Sequence, residues 1–98
     1  MMTFVMLTRL SADAVRSPSA LEDLEKAAME RIRSECPKVE WLHTLAVLGP
    51  CDYVDIFQAP DVDTAMRVAV IIRTFGHATT EIMVGTDWQR FKGLVRDL

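Results

Sequence analysis

The chain has 98 residues, half of them hydrophobic and 26% charged, with eleven Lys and Arg against fourteen acids and a net charge of −3. Such a composition excludes disorder, provides no apolar run of the ~20 residues that cross a bilayer, and lacks the clustered basic side chains on which phosphate binding depends. The length predicts one domain over residues 1–98, with a single core and little apolar area to spare, so any second large apolar surface needs a partner.

The opening M-M-T-F-V-M-L lacks the basic start of a signal peptide, and Thr3 to Leu10 reads as a strand buried on both faces. Ser17-Pro18-Ser19 supplies a hydroxyl cap and a proline suited to a first helical turn, and Ser19 to Glu22 has capping-box spacing. Leu21, Leu24, Ala28 and Ile32 then recur at helical spacing. Glu22 with Lys26 and Glu30 with Arg33 are spaced to pair on the wet side. Pro37 stops the helix near Glu35.

From Val39 to Leu48 both alternating sets are largely apolar, with Trp41, Leu45 and Val47 on one side and Leu42, Ala46 and Leu48 on the other. This predicts a strand covered on both faces. Gly49-Pro50-Cys51-Asp52 is turn chemistry, with Asp52 accepting backbone N–H bonds in the turn. In the third strand, Tyr53 to Phe57, Val54 and Ile56 form an aliphatic side. The opposite side joins Tyr53 and Phe57 to Asp55, a carboxylate that must meet a partner or solvent. Asp61 caps a second helix from Val62 to Phe75 that is apolar almost all round and therefore buried on more than one side, ending at Gly76. A fourth strand runs from His77 to Val84. Thr86-Asp87-Trp88-Gln89 has capping-box spacing, and Trp88, Phe91, Val95 and Leu98 predict an amphipathic tail helix packed back on the domain. The order strand, helix, strand, strand, helix, strand is the ferredoxin-like βαββαβ plan. It is an α+β fold with a four-stranded antiparallel sheet and two main helices on one face.

Three blocks carry a resemblance that spans nearly the whole chain: F-V-M-L-T-R-L, A-V-L-G-P-C-D-Y-V-D-I-F-Q-A-P-D and R-T-F-G-H-A-T-T-E. The sequence resembles the GYD-domain family of small bacterial and archaeal proteins. Where the family motif has a tyrosine between Gly and Asp, this chain has Pro50 and Cys51 between Gly49 and Asp52. The resemblance implies a plan similar to dimeric α/β-barrel proteins and no established general activity.

Candidate chemistry is sparse. The mixed side of Tyr53, Asp55 and Phe57 is where a small-molecule pocket is expected, with His43 and Glu81 as further candidate ligand-binding residues. His43 reads as a core histidine, and the turn decides its face. A four-residue loop groups His43 with Val54 and Ile56, whereas a bulged residue groups it with Tyr53 and Asp55. Cys51 reads as a small turn residue, since the adjacent carboxylate raises a thiol pKa and no base is identifiable. His77 and Glu81 are too loosely spaced for a metal motif. Cys36 and Cys51, lacking C-x-x-C spacing, form neither a zinc site nor a disulfide framework and fit a reducing cytoplasm. No cofactor, metal, nucleic acid or membrane is expected as a partner. The predicted function is a homo-oligomeric ligand-binding or regulatory module, a dimer or larger, assembled through the sheet face without helices. The alternative is a cofactor-independent enzyme using His43, Tyr53, Asp55 or Glu81 as acid and base.

Overall fold

The computed structural model describes residues 1–12, 14, 17–75 and 78–98. Its elements run β1 (Met2–Leu10), α1 (Pro18–Glu35), β2 (Glu40–Ala46), β3 (Tyr53–Ala59), α2 (Val62–Phe75), β4 (Ala78–Gly85) and α3 (Trp88–Val95). The four strands form one sheet in the order β2-β3-β1-β4, antiparallel at every pairing. This is the ferredoxin-like arrangement expected from the element order. The residues assigned to the end of the second helix and the start of the fourth strand, Gly76 and His77, lie outside the described residues.

Local signals explain the helix starts, with two corrections. Ser17 is the N-cap of α1, its Oγ accepting the Ala20 N–H at 3.2 Å, so the Ser19–Glu22 spacing makes no capping box. Asp61 Oδ1 accepts both the N–H of Thr64 at 2.7 Å and its hydroxyl at 2.6 Å, as its predicted cap position requires. At α3 the cap is Asp87, which accepts from the N–H groups of Gln89 and Arg90, rather than Thr86. Among the described residues the ion pair on α1 is Arg31–Glu35 at 3.0 Å, rather than either pair read from spacing.

The core lies between the sheet and the two main helices. Phe4, Met6, Phe57 and Ala59 face Ala28 and Ile32 of α1 and Ala65, Val68, Ala69 and Ile72 of α2. The cross-strand pairs Phe4↔Phe57, Met6↔Asp55 and Thr8↔Tyr53 assign these residues to the helix side, because directly opposed residues in an antiparallel pair share a face. Thr3, Val5 and Leu7 with Gln58, Ile56 and Val54 form the other, open side.

Four coverage expectations fail in the single chain. β1 is buried on its helix side and only half-covered on the other. β2 is an edge strand, exposed along most of its length, so it is not covered on both faces. The outer stripe of α2, Val62, Met66 and Val70, is likewise exposed. α3 does not pack back. None of its residues is buried, and Trp88 stacks on Phe91 with centroids 5.3 Å apart while remaining 65% exposed. The radius of gyration of 14.8 Å exceeds the ~13 Å of a globular chain this size accordingly.

Candidate functional site

A register shift builds the site. Leu45 pairs with Val54 and His43 with Ile56, but between His43 and Trp41 the ladder slips, and Trp41 pairs with Phe57. A bulged strand places two residues opposite one and re-aims the side chain beyond it. Here Leu42 is the extra residue. Trp41 therefore turns onto the helix side, with Thr44 and Ala46, while Leu45 stays on the open side, which corrects the expected grouping of Trp41 with Leu45. The Trp41 ring lies over Phe57 with centroids 5.1 Å apart and planes within 8°, and Phe57 stacks in turn on Phe4 at 5.6 Å.

This stack sets the position of a hydrogen-bonded triad. The Trp41 indole Nε1–H is shared between Thr44 Oγ1 at 2.8 Å and Asp55 Oδ1 at 3.2 Å. The Thr44 hydroxyl donates to the same Oδ1 at 2.5 Å. Asp55 is only 2% exposed, yet its Oδ2 has no partner. Desolvation raises the pKa of Asp55 against the two hydrogen bonds, and the charge of Glu25 adds to the rise. Burial, with the charge of Asp55, pushes the Tyr53 phenol up to about 12.

Next to the triad is a cavity of about 480 Å³ between α1 and the β2–β3 half of the sheet. It exists because α1 packs on α2 and no Cα of α1 lies within 8 Å of a strand Cα, while the facing positions of β2 include the short side chains of Thr44 and Ala46. The predicted apolar stripe of α1 divides accordingly. Ala28 and Ile32 are buried against the core, whereas Leu21 and Leu24 stay half-buried and line the cavity. Asp55, Tyr53, Trp41 and Glu25 line it as well.

The five residues singled out from sequence are divided by the sheet. Tyr53, Asp55 and Phe57 share the helix side, with Tyr53 and Asp55 on the cavity and Phe57 fully buried beneath Trp41. His43 sits on the open face of β2, opposite Ile56, as the four-residue loop predicts. Glu81 is on the same open face of β4, opposite Leu7, and the two strands are the sheet's opposite edges. Sequence reasoning missed Trp41, because a bulge cannot be read from alternation. It also missed Thr44, whose hydroxyl in an apolar strand was an available signal. Among the described residues no group of three His, Cys, Asp or Glu is placed to hold a metal ion, and no helix is long and apolar enough to cross a membrane.

At the turn, Gly49 adopts φ 151°, which favours glycine. Asp52 acts across the sheet rather than within its own turn. Its Oδ2 accepts the Leu10 N–H at 2.7 Å and its own N–H donates to the Thr8 carbonyl at 2.8 Å. The Arg9 guanidinium donates to the Pro50 carbonyl.

The fold is similar to those of several solved structures. TTHA0845 from Thermus thermophilus matches with a TM-score of 0.60 at 24% identity, covering 89% of this chain and 95% of that one. Atu4242 from Agrobacterium tumefaciens matches with a TM-score of 0.52 at 18% identity, covering 90% and 96%. The leucine response regulatory protein LrpA of Mycobacterium tuberculosis matches with a TM-score of 0.59 at 17% identity over 88% of this chain, which spans only 51% of that one. No curated protein shows a significant sequence match. The sequence model of the GYD domain matches residues 4–95, nearly the whole chain, and the protein therefore belongs to the GYD domain family.

Proposed function

We propose that this protein is a small ligand-binding module that works as a homo-oligomer in the cytoplasm. The observation that carries the reading is Asp55, a buried carboxylate that lines an apolar cavity of about 480 Å³ and whose Oδ2 has no partner. A buried polar atom left unpaired costs roughly 1–3 kcal/mol, and a ligand donor would remove that cost. The volume is within the roughly 300–1,000 Å³ of small-molecule sites. A regulatory role is in keeping with the fold likeness to LrpA, which is named a leucine response regulatory protein. The unpaired thiols of Cys36 and Cys51 fit a reducing compartment. The acid/base enzyme reading loses ground, because His43 and Asp55 occupy opposite sheet faces.

Self-association follows from the open side of the sheet. Val5, Leu7, Val54 and Ile56 are only half-covered there, and Leu45 and Met83 are 58% and 48% exposed. Contiguous apolar patches of this kind mark interaction surfaces, and a two-fold axis lets one patch serve both copies, with about 800 Å² buried on each. An eight-residue helix such as α3 is marginal in water without something to pack on, and a second copy supplies it. Native mass spectrometry of freshly purified protein should show at least two chains and a retained small molecule, and Ile56→Lys should yield single chains. A single-chain mass for the native protein at low micromolar concentration would reject the oligomer. A fully exchanged, ligand-free protein whose Trp41 indole resonance no small molecule perturbs would reject the binding reading.

A further inference from the structure

We infer that the cavity beside Asp55 takes an organic cation, a protonated amine on an apolar body, an inference that rests on the ligand-binding reading above. Three features of the lining select this class. The first is the unpartnered Asp55 Oδ2, whose sister oxygen already accepts from both Trp41 and Thr44. That leaves an oxygen without a donor on a residue that lines the cavity. The second is charge. Among the described residues lining the cavity, Glu25, Asp52 and Asp55 are acidic and none is basic. A carboxylate or phosphate ligand would meet like charge at each of these residues, whereas an ammonium group supplies the counter-charge that the buried Asp55 carboxylate otherwise lacks. Asp52 is committed to Leu10, and Glu25 is exposed on α1, so Asp55 is the deep anchor and Glu25 the rim.

The third feature is the remaining wall. Leu21, Leu24, Ala28 and Met29 of α1 form one side and the Trp41 ring part of the other. These groups offer hydrocarbon and an aromatic face, which suit an alkyl or aryl body and stabilise a nearby cation through the ring's negative face. The spare acceptor is at the sheet and the aliphatic wall at the helix. The ligand's ammonium therefore points to β3 and its apolar body lies along α1.

The test uses the full native chain, isotopically labelled, with n-hexylammonium, 1-hexanol and hexanoate as probes of nearly equal size. The reporter is the Trp41 indole N–H resonance, assigned by its loss in Trp41→Phe, and the exposed indole of Trp88 on α3 controls for non-specific binding. Hexylammonium should shift the Trp41 resonance saturably and leave that of Trp88 in place. Hexanol should bind about tenfold more weakly or worse, the loss expected when a charge-assisted bond is replaced by a neutral one, and hexanoate should not bind. In Asp55→Asn, hexylammonium should fall to the level of hexanol, and Glu25→Gln should weaken it by a smaller factor. If hexanol or hexanoate binds as tightly as hexylammonium, the cation assignment is wrong and the ligand-binding reading stands. If no probe moves the Trp41 resonance, both fall. Should Asp55→Asn not fold, the ranking of the three probes on the native chain decides.

Discussion

The indole N–H of Trp41 reaches Asp55 Oδ1 at 3.2 Å across a register shift that pairs Trp41 with Phe57. Were the ladder regular through Leu42, that residue would pair with Phe57, Trp41 would pair with Gln58 and point away from the helices, and the carboxylate would keep only Thr44. One irregularity in an edge strand thus supplies both the lid of the aromatic stack and a donor to the buried acid. In Trp41→Phe the ring stack on Phe57 is retained and the donor is lost. Stability should fall by about 1–2 kcal/mol, the range for a side-chain hydrogen bond to an acidic group. Urea denaturation measures it, and in an Asp55→Asn background the same substitution should cost less, since part of the effect is shared.

Asp55 gives stability a pH dependence of defined sign. Its folded pKa is raised by desolvation, so between the ordinary carboxylate value near 4 and the folded value the native state holds a proton that the unfolded chain has released. Stability then falls as pH rises through that window, because the unfolded state binds fewer protons. Relative to the wild type, Asp55→Asn should gain stability as pH is raised from about 4 upwards through the folded value. Thermal denaturation of both proteins across that range would refute this if the difference between them stayed constant.

Tyr53 is the sole tyrosine, so its phenol can be titrated by absorbance without interference from another. Burial and the neighbouring Asp55 carboxylate hold it at about 12, against about 10 for a free phenol. The folded protein should show the higher midpoint and the denatured chain the lower. With the proton retained only in the folded state between these values, Tyr53 makes stability decline from pH ~10 upwards. Tyr53→Phe should abolish that part of the decline.

Asp52 joins the β2–β3 turn to the end of β1 through the Leu10 N–H. Asp52→Ala should lower stability by about 1 kcal/mol, as for loss of one hydrogen bond. Hydrogen exchange at the Leu10 amide should rise with it. Exchange unchanged at Leu10 would mean that the bond does not persist in solution.

The elements and their order were legible in the sequence because they rest on local chemistry. Asp61 before Val62 and Ser17 before Pro18 announce helix starts, alternation marks Tyr53 to Phe57 as a strand, and three sequence blocks identify the family. The pairing of Asp55 with an aromatic side was legible too, since Tyr53, Asp55 and Phe57 share one period. What lay beyond local chemistry was decided by packing. Trp41 reaches Asp55 through a bulge that relaxes the period of two, and such a slip depends on how β2 fits β3. The cavity depends on α1 standing on α2, which leaves Leu21 and Leu24 half-buried although they belong to the same stripe as Ala28 and Ile32. The division of His43 and Glu81 from Asp55 is likewise tertiary. A residue's parity assigns it to one of two faces, but only strand order and helix placement determine which face is covered, and His43 and Glu81 lie at opposite edges of the one that the helices leave open.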